Sequence, residues 1–431
     1  MNQGLDISLA PERLDEGLPE ERAGFGQFIV RAGSVALTEG FDGFVDALRP
    51  GPLVSGYHAA EWFAWNWWRI LYEPYSPRSP DWWRAHTMTA IGEGYVWPNI
   101  TFRTDGVRAA VIARPSSDPD ARPFRYISSN MWLGSTEQMR EAINAFLTRV
   151  VHRLTEKGIN SSNLQHILAE LVQERLDPAM MEQRRLEALM GREPDEADDA
   201  IIALMEDAKE LGMHGVEELA ADAAGRSIPR ASTLHNIART EGVEVLPDDA
   251  VRLSTTDVAE TKKQEVAWRQ GRHLAEVLRR KLGLGAAPVA TTRLAEMLGT
   301  LAPDPHKSYG MAPLSFVLRE KDGTARLVLR SKWETGRRFE LARLLGDWLL
   351  FGASAPIMPA TRAYTFRQKA QRSFAAEFLC PFGATEDMLH GDYSSEAIEE
   401  VSEHFDVSTL TVETLLRNHG RIEREPLADA A

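Results

Sequence analysis

Residues 338–350 read RFELARLLGDWLL. Arg343 and Asp347 lie four apart, so on a helix they share one face, with Leu344 directly after the first. Two histidines at that spacing, with a glutamate after the first, bind zinc and draw a proton from the water on it. Here the same three places carry a cation, an aliphatic side chain and a carboxylate. Arg343 repels a metal ion, and Leu344 cannot move a proton. Asp347 alone has ligand chemistry, and no Asp, Glu or His occurs between it and Glu377. The helix is therefore read as kept for packing, with Arg343 and Asp347 expected to form an ion pair on their shared face. The basic residue precedes the acidic one, which is the weaker orientation for such a pair.

Other residues with ligand or acid–base chemistry are scattered. His58-x-x-Glu61 and His273-x-x-Glu276 each put two such groups on one helical face. Pairs of this kind arise by chance, and ordinary surface contacts account for them. Glu377 is read as a solvated or hydrogen-bonded helix residue, with His390 further on. Cys380, the one cysteine, occupies an apolar helical position just before Pro381 and is expected to be buried. A single thiol forms no internal disulfide, which fits a reducing compartment. Seven of the eleven tryptophans fall between positions 62 and 97. They would suit stacking on a ligand or on single-stranded bases, but at helical spacing they are expected to form an aromatic core.

Composition narrows the function classes. The formal charge of −14 opposes a general affinity for nucleic acid. From Glu396 to Glu425 the chain resembles a helix-turn-helix, yet it carries eight acidic residues against three basic ones. That is the wrong sign for phosphate contact, so the pair of helices is read as packing. The N-terminal segment is acidic and broken by Pro, unlike a signal peptide. No apolar stretch approaches the roughly 20 residues of a spanning helix. A cytoplasmic protein without membrane contact is expected.

Periodicity and punctuation outline the elements that would hold these groups. Residues 1–25 are expected to be loose. AAEWFAWNWWRILYEPY is a helix apolar on most sides, which implies burial. YVWPNITFRTDGVRAAVIARP reads as a hairpin turning at Asp105-Gly106, in a tight turn with positive φ at both central residues. Ser135 is expected to cap a helix with Gln138 as its reciprocal partner. Helical segments then break at EKGINSS, GREPDE and LGMHG. The polar, aperiodic stretch 241–263 is read as a linker. Beyond it come the helix EVAWRQGRHLAEVLRRKLGLG, a shorter helix, a hairpin turning near Asp322-Gly323, and the helices RFELARLLGDWLL and RQKAQRSFAAEFLCPF.

The order of these pieces, with RRFELARLLGDWLL, RSFAAEFLCP and EVSEHFDVSTLTVETLLRNHG, resembles the ImmA/IrrE family of metallopeptidase-like proteins over roughly 264–425. In that family the first piece carries the zinc-binding His-Glu-x-x-His, and a metal-binding Glu precedes the Phe of the second by about a turn. Carried over, the ligand positions fall on Arg343, Asp347 and Ala370, and the general base on Leu344. All four are changed. Here the third piece turns on DVS, where the family has a GVS-like turn.

The resemblance implies an α+β, predominantly helical protein. A zincin-like ImmA/IrrE-type domain with a small hairpin sheet spans 264–431. A Trp-rich mixed unit (1–134), a helical region (135–240) and the linker (241–263) precede it. The expected role is regulatory or protein-binding, in mobile-element, defence or stress regulation, without a cofactor and without catalysis. The expected partner is a protein or peptide such as a repressor-like regulator, held in a groove near Arg343, Asp347 and Glu377. Two alternatives stand beside it. One is an active metallo-endopeptidase using zinc, with ligands relocated around Asp347, Glu377 or His390. The other is a scaffold whose Trp-rich unit carries the binding.

Overall fold

A computed structural model describes residues 4–196, 198–223, 226–303, 310–320, 323–352 and 355–422. The fold is α+β, with eighteen helices among the described residues and small antiparallel sheets. The chain forms two compact units that divide between residues 197 and 198. No described helix is long and apolar enough to cross a membrane.

In the first unit the order is β1 (Leu5–Pro11), α1 (Pro19–Ala23), β2 (Phe25–Ala32), β3 (Val35–Ala36), β4 (Gly40–Asp42), β5 (Ala47–Arg49) and β6 (Leu53–Ser55). Then come α2 (Gly56–Trp65), α3 (Trp67–Tyr72), α4 (Pro80–His86), β7 (Asn99–Thr104), β8 (Arg108–Arg114), β9 (Phe124–Tyr126) and β10 (Met131–Ser135). The unit ends with α5 (Thr136–Glu156), α6 (Asn163–Leu176) and α7 (Pro178–Leu189). Strand β2 pairs with β1, β3 and β6, β8 lies between β10 and β7, and β4 lies between β5 and β9. Residues 1–25, expected to be loose, thus hold a full-length strand. Leu5, Ile7 and Leu9 alternate with polar residues and register against β2, a period hidden by the acidic and Pro-containing sequence around it.

Local chemistry accounts for much of this unit. Ser135 accepts from the Gln138 backbone N–H, and the Gln138 side chain accepts from the Ser135 N–H at 2.9 Å, so the expected capping box is formed. The α5 residues Met139, Ile143, Phe146, Leu147, Val150 and Leu154 are buried along one face. The β7–β8 turn differs from expectation. Gly106 has φ +94°, but Asp105 is not left-handed. Its carboxylate instead accepts from the backbone N–H of Val107 (3.1 Å) and Arg108 (2.8 Å), which closes a longer loop by a side-chain turn. Helical breaks fall at all three expected places.

The second unit holds α8 (Asp198–Leu211), α9 (Met213–Ala221), α10 (Ala231–Glu241), β11 (Val243–Val245), α11 (Thr255–Lys262), α12 (Ala267–Lys281) and α13 (Thr291–Met297). It continues with β12 (Ser315–Arg319), β13 (Ala325–Val328), α14 (Glu334–Phe351), β14 (Ile357–Ala360), α15 (Phe366–Leu379), α16 (Phe382–Leu389), α17 (Ser395–Phe405) and α18 (Thr409–Asn418). An antiparallel sheet runs β11-β13-β12-β14 among its described residues. The stretch read as a linker therefore behaves differently. Val243–Val245 pairs with Leu327–Ala325, and α8–α10 fall in this unit. Three residues of strand carry no periodic signal, so the pairing was invisible in sequence. Of the expected Asp322-Gly323 turn, Gly323 has φ +91°, and Asp322 lies outside the described residues, as do positions 423–431.

Helices α12 and α14 both pack closely on α15. A Cβ at Gly271 would sit 2.3 Å from the Ala370 carbonyl oxygen, and one at Gly346 would sit 2.5 Å from the Phe374 ring. Glycine is needed at both places because only its bare Cα lets the helices approach. The three-helix layer so formed carries the residues of interest.

Candidate functional site

Helix α14 is buried on nearly every side: Leu344 is buried, and so are the charged residues Arg338, Glu340, Arg343 and Asp347. Buried charge demands partners. Arg343 finds them on α15 and on the strand-to-helix connection before it. Its Nη2 donates to the Thr361 carbonyl (2.7 Å), Gln368 Oε1 (2.6 Å) and Gln371 Oε1 (3.3 Å). Both glutamine amides donate in turn to the Pro359 carbonyl, at 3.0 and 3.2 Å. The Thr361 N–H donates to Gln368 Oε1 at 2.9 Å. The Arg343 Nε is buried without a partner. Burial, aided by the neighbouring Arg372 charge, pushes the Arg343 guanidinium down to about 9, which leaves it protonated at neutral pH.

The expected Arg343–Asp347 pair is not formed. Asp347 is instead held by Arg367, with Nε donating to Oδ1 at 2.8 Å and Nη2 to Oδ2. The fork of Arg367 arrives from the next helix and meets both carboxylate oxygens, a geometry that a basic residue one turn earlier on the same helix does not offer. Burial works against the Arg367 charge, but Asp347 outweighs it and holds the guanidinium above its ordinary range. Glu218 of α9 completes the cluster. It accepts from Thr365 Oγ1 at 2.8 Å, and burial raises its carboxyl above the usual carboxylate range.

Ala370, at the third ligand position, is buried where α15 meets Gly271. Arg343, Leu344, Asp347 and Ala370 are thus all buried, and the two polar ones are held by internal partners. Sequence reasoning missed Thr361, Gln368, Gln371, Arg367 and Glu218. The available signal was a pair of glutamines three apart, and so on one face, in the helix RQKAQRSFAAEFL.

Glu377 stands apart from this cluster. Its Oε1 accepts from the Phe382 N–H at 3.1 Å, capping α16. Its Oε2 is buried with no hydrogen-bond partner, and His419 Nε2 is 4.0 Å away. It lines a cavity of about 340 Å³ together with Glu276, Arg279 and Arg280. Arg343 and Asp347 do not line it.

The relocated ligand set is not assembled either. His390 caps the end of α16 in a left-handed, exposed conformation, and Asp347 is spent on Arg367. Among the described residues no three His, Cys, Asp or Glu side chains gather as metal ligands. His58 Nδ1 lies 4.0 Å from Glu61, and Glu276 takes the Arg272 Nε at 2.7 Å. Cys380 is buried with its Sγ 3.2 Å from Thr385 Oγ1, and burial pushes the thiol up to about 12.

The Trp-rich region is core. Trp62, Trp67, Trp68, Trp82 and Trp97 are buried, whereas Trp65 is 61% exposed. The indole N–H groups of Trp67, Trp68 and Trp97 are taken by Asn144, Glu174 and the Gly92 carbonyl. The C-terminal helices pack likewise: Ile398, Val401, Phe405, Val412 and Leu415 belong to the core of the second unit.

No family model, curated protein or solved structure matches the chain.

Proposed function

We propose that residues 264–431 form a catalytically degenerate ImmA/IrrE-like domain, a pseudo-metallopeptidase, and that the protein has a regulatory or protein-binding role in place of cleavage. The observation that carries this reading is the chemistry at the four motif positions: Arg343, Leu344, Asp347 and Ala370 supply one ligand atom type and no proton acceptor where a base is required. The order of elements supports it, with two helices, a hairpin, the α14 helix, a strand and the α15 helix in succession. So does the way Gln368, Gln371 and Arg367 bind the two polar motif residues from α15, a tie between the helices that a metal would otherwise make.

Elemental analysis of protein purified without chelator tests the reading. Less than stoichiometric zinc is expected. Full-occupancy zinc that disappears in Asp347→Ala would overturn it. The combined variant Arg343→His, Leu344→Glu, Asp347→His and Ala370→Glu tests the scaffold, and is expected to fold and bind zinc.

A further inference from the structure

Arginines gather where strands β13 and β14 end. Both strands run antiparallel to β12, so their C-terminal ends lie at the same end of the sheet. Arg330 follows β13 and Arg362 follows β14. Ser315 of β12 ties the two, since it registers with Ala360 and its hydroxyl accepts from the Arg330 N–H at 2.8 Å. Asp222, at the end of α9, accepts from the Arg362 N–H at 2.9 Å and from Arg226 Nη2 at 3.3 Å, which brings Arg226 alongside. Arg343 and Arg372 hold the connection after β14 by the carbonyls of Thr361 and Ala363, at 2.7 and 2.8 Å.

The carboxylates that face these cations do not balance them. Asp222 is taken as described. Glu340 is buried and accepts from the N–H groups of Arg330 (3.2 Å) and Ser331 (2.9 Å), with Arg330 Nη2 at 3.5 Å. Glu218 is buried on Thr365, and burial disfavours its charge. Asp347 is spent on Arg367. A local excess of positive charge therefore remains in a chain of formal charge −14. It is reachable: Arg226 and Arg362 are exposed, and Arg330 and Arg372 are half-buried. The Arg362 guanidinium makes no hydrogen bond or ion pair among the described residues. Partial burial, and then the charges of Arg330 and Arg226, hold it below its ordinary range, so an anion placed among the three relieves it.

We propose that this surface binds an acidic segment of a partner protein, whose glutamate or aspartate carboxylates are taken by Arg362, Arg226 and Arg330. The guanidinium fork matches a carboxylate. A polynucleotide would run on from the patch over an acidic chain, whereas a short acidic segment needs only the patch. The proposal deepens the protein-binding reading and rests on it for the kind of ligand. Zinc content tests that reading and charge reversal tests this one, so either can fail alone.

Fluorescence anisotropy of a labelled, acetylated and amidated peptide of alternating Glu and Gly, titrated with the full chain, tests it. The peptide is expected to bind, and the same peptide with Gln for Glu is not. Arg362→Glu should weaken binding by at least about tenfold, the value of a charge-assisted hydrogen bond, and Arg226→Ala by a smaller factor. Both residues are exposed, so both variants are expected to fold. Arg280→Glu makes the same change of net charge on an exposed residue near Glu377 and Pro381, at the far end of α15, and should leave binding unchanged. No binding of the Glu peptide, equal binding of the Gln peptide, or equal weakening by Arg280→Glu would overturn the proposal. So would tighter binding of an oligothymidylate of the same charge.

Discussion

Two buried arginines of the first unit and two of the second are held in different ways. In the first, Arg69 is held by Glu73 and Glu193, and Arg184 by Glu174, Glu187 and Asp195. In both cases burial opposes the charge and the carboxylates outweigh it, so the guanidinium rises above its ordinary range. In the second unit Arg343 is held by a carbonyl and two amide oxygens, and Arg279 by three carbonyls. Burial holds both below their ordinary range. A carboxylate neutralises; a carbonyl only solvates. The second arrangement ties separate chain segments with one side chain, but leaves a net buried charge. Arg367 shows that the partner, not the unit, decides: facing Asp347, it rises.

If that contrast holds, removing a carboxylate-paired arginine is the most damaging change. Arg184→Ala strands Glu187, and Arg367→Ala strands Asp347; each carboxylate is almost wholly buried. Each variant is expected to lose about 3–5 kcal/mol in equilibrium urea unfolding. Arg343→Met strands only carbonyl and amide oxygens, so about 1–3 kcal/mol is expected, although Arg343 is as deeply buried. Equal losses for Arg343→Met and Arg367→Ala would break the comparison. A double-mutant cycle sharpens it: Asp347→Asn should couple strongly to Arg367→Ala and weakly to Arg343→Met.

A pH effect comes next in size. Burial, partly offset by Arg69, raises Glu73 to about 7 from an ordinary value near 4.5. Burial lowers His86 to about 3 from near 6.5. Between about pH 4.5 and 6.5 the folded Glu73 holds a proton that the unfolded chain has released, so stability falls as pH rises. Over the same range the unfolded His86 holds a proton that the folded ring lacks, so stability rises with pH. The two slopes cancel. Glu73→Gln should expose the histidine slope, about 1.4 kcal/mol gained per pH unit. A flat profile in the variant would show that His86 is charged. Its two ring nitrogens lie 2.8 Å from the Trp82 carbonyl and 3.1 Å from that of Arg69, and only a charged ring donates to both. The smallest effect concerns Cys380: with its thiol pushed up to about 12, iodoacetamide should label it only after unfolding, and rapid labelling of native protein would place it at the surface.

Part of this was legible from the chain alone. The Ser135–Gln138 cap, the helical breaks and the burial of most of the tryptophans rest on interactions within a few residues, or on a period repeated over many. The strands β11 and β14 were not legible, since three or four residues carry no pattern and their pairing partners lie far along the chain. The same reason moved the boundary from 241–263 to residue 197. At the site, the residue types at Arg343, Leu344, Asp347 and Ala370 were legible position by position, while the Arg343–Asp347 pair was misjudged because it weighed only neighbours on one helix.

What the sequence by itself determined is the kind of atom available at each place: an aliphatic side chain at Leu344, no carboxylate between Asp347 and Glu377, one thiol, a helix with two glutamines three apart. Tertiary structure decided which atoms meet. Arg367, twenty residues beyond Asp347, takes its carboxylate; Thr361, Gln368 and Gln371 take Arg343; and Glu377 is left with one oxygen unanswered. Side-chain type is inherited from the chain, but a hydrogen bond depends on distances of a few tenths of an ångström between elements far apart in it, and only the packing of α12, α14 and α15 sets those.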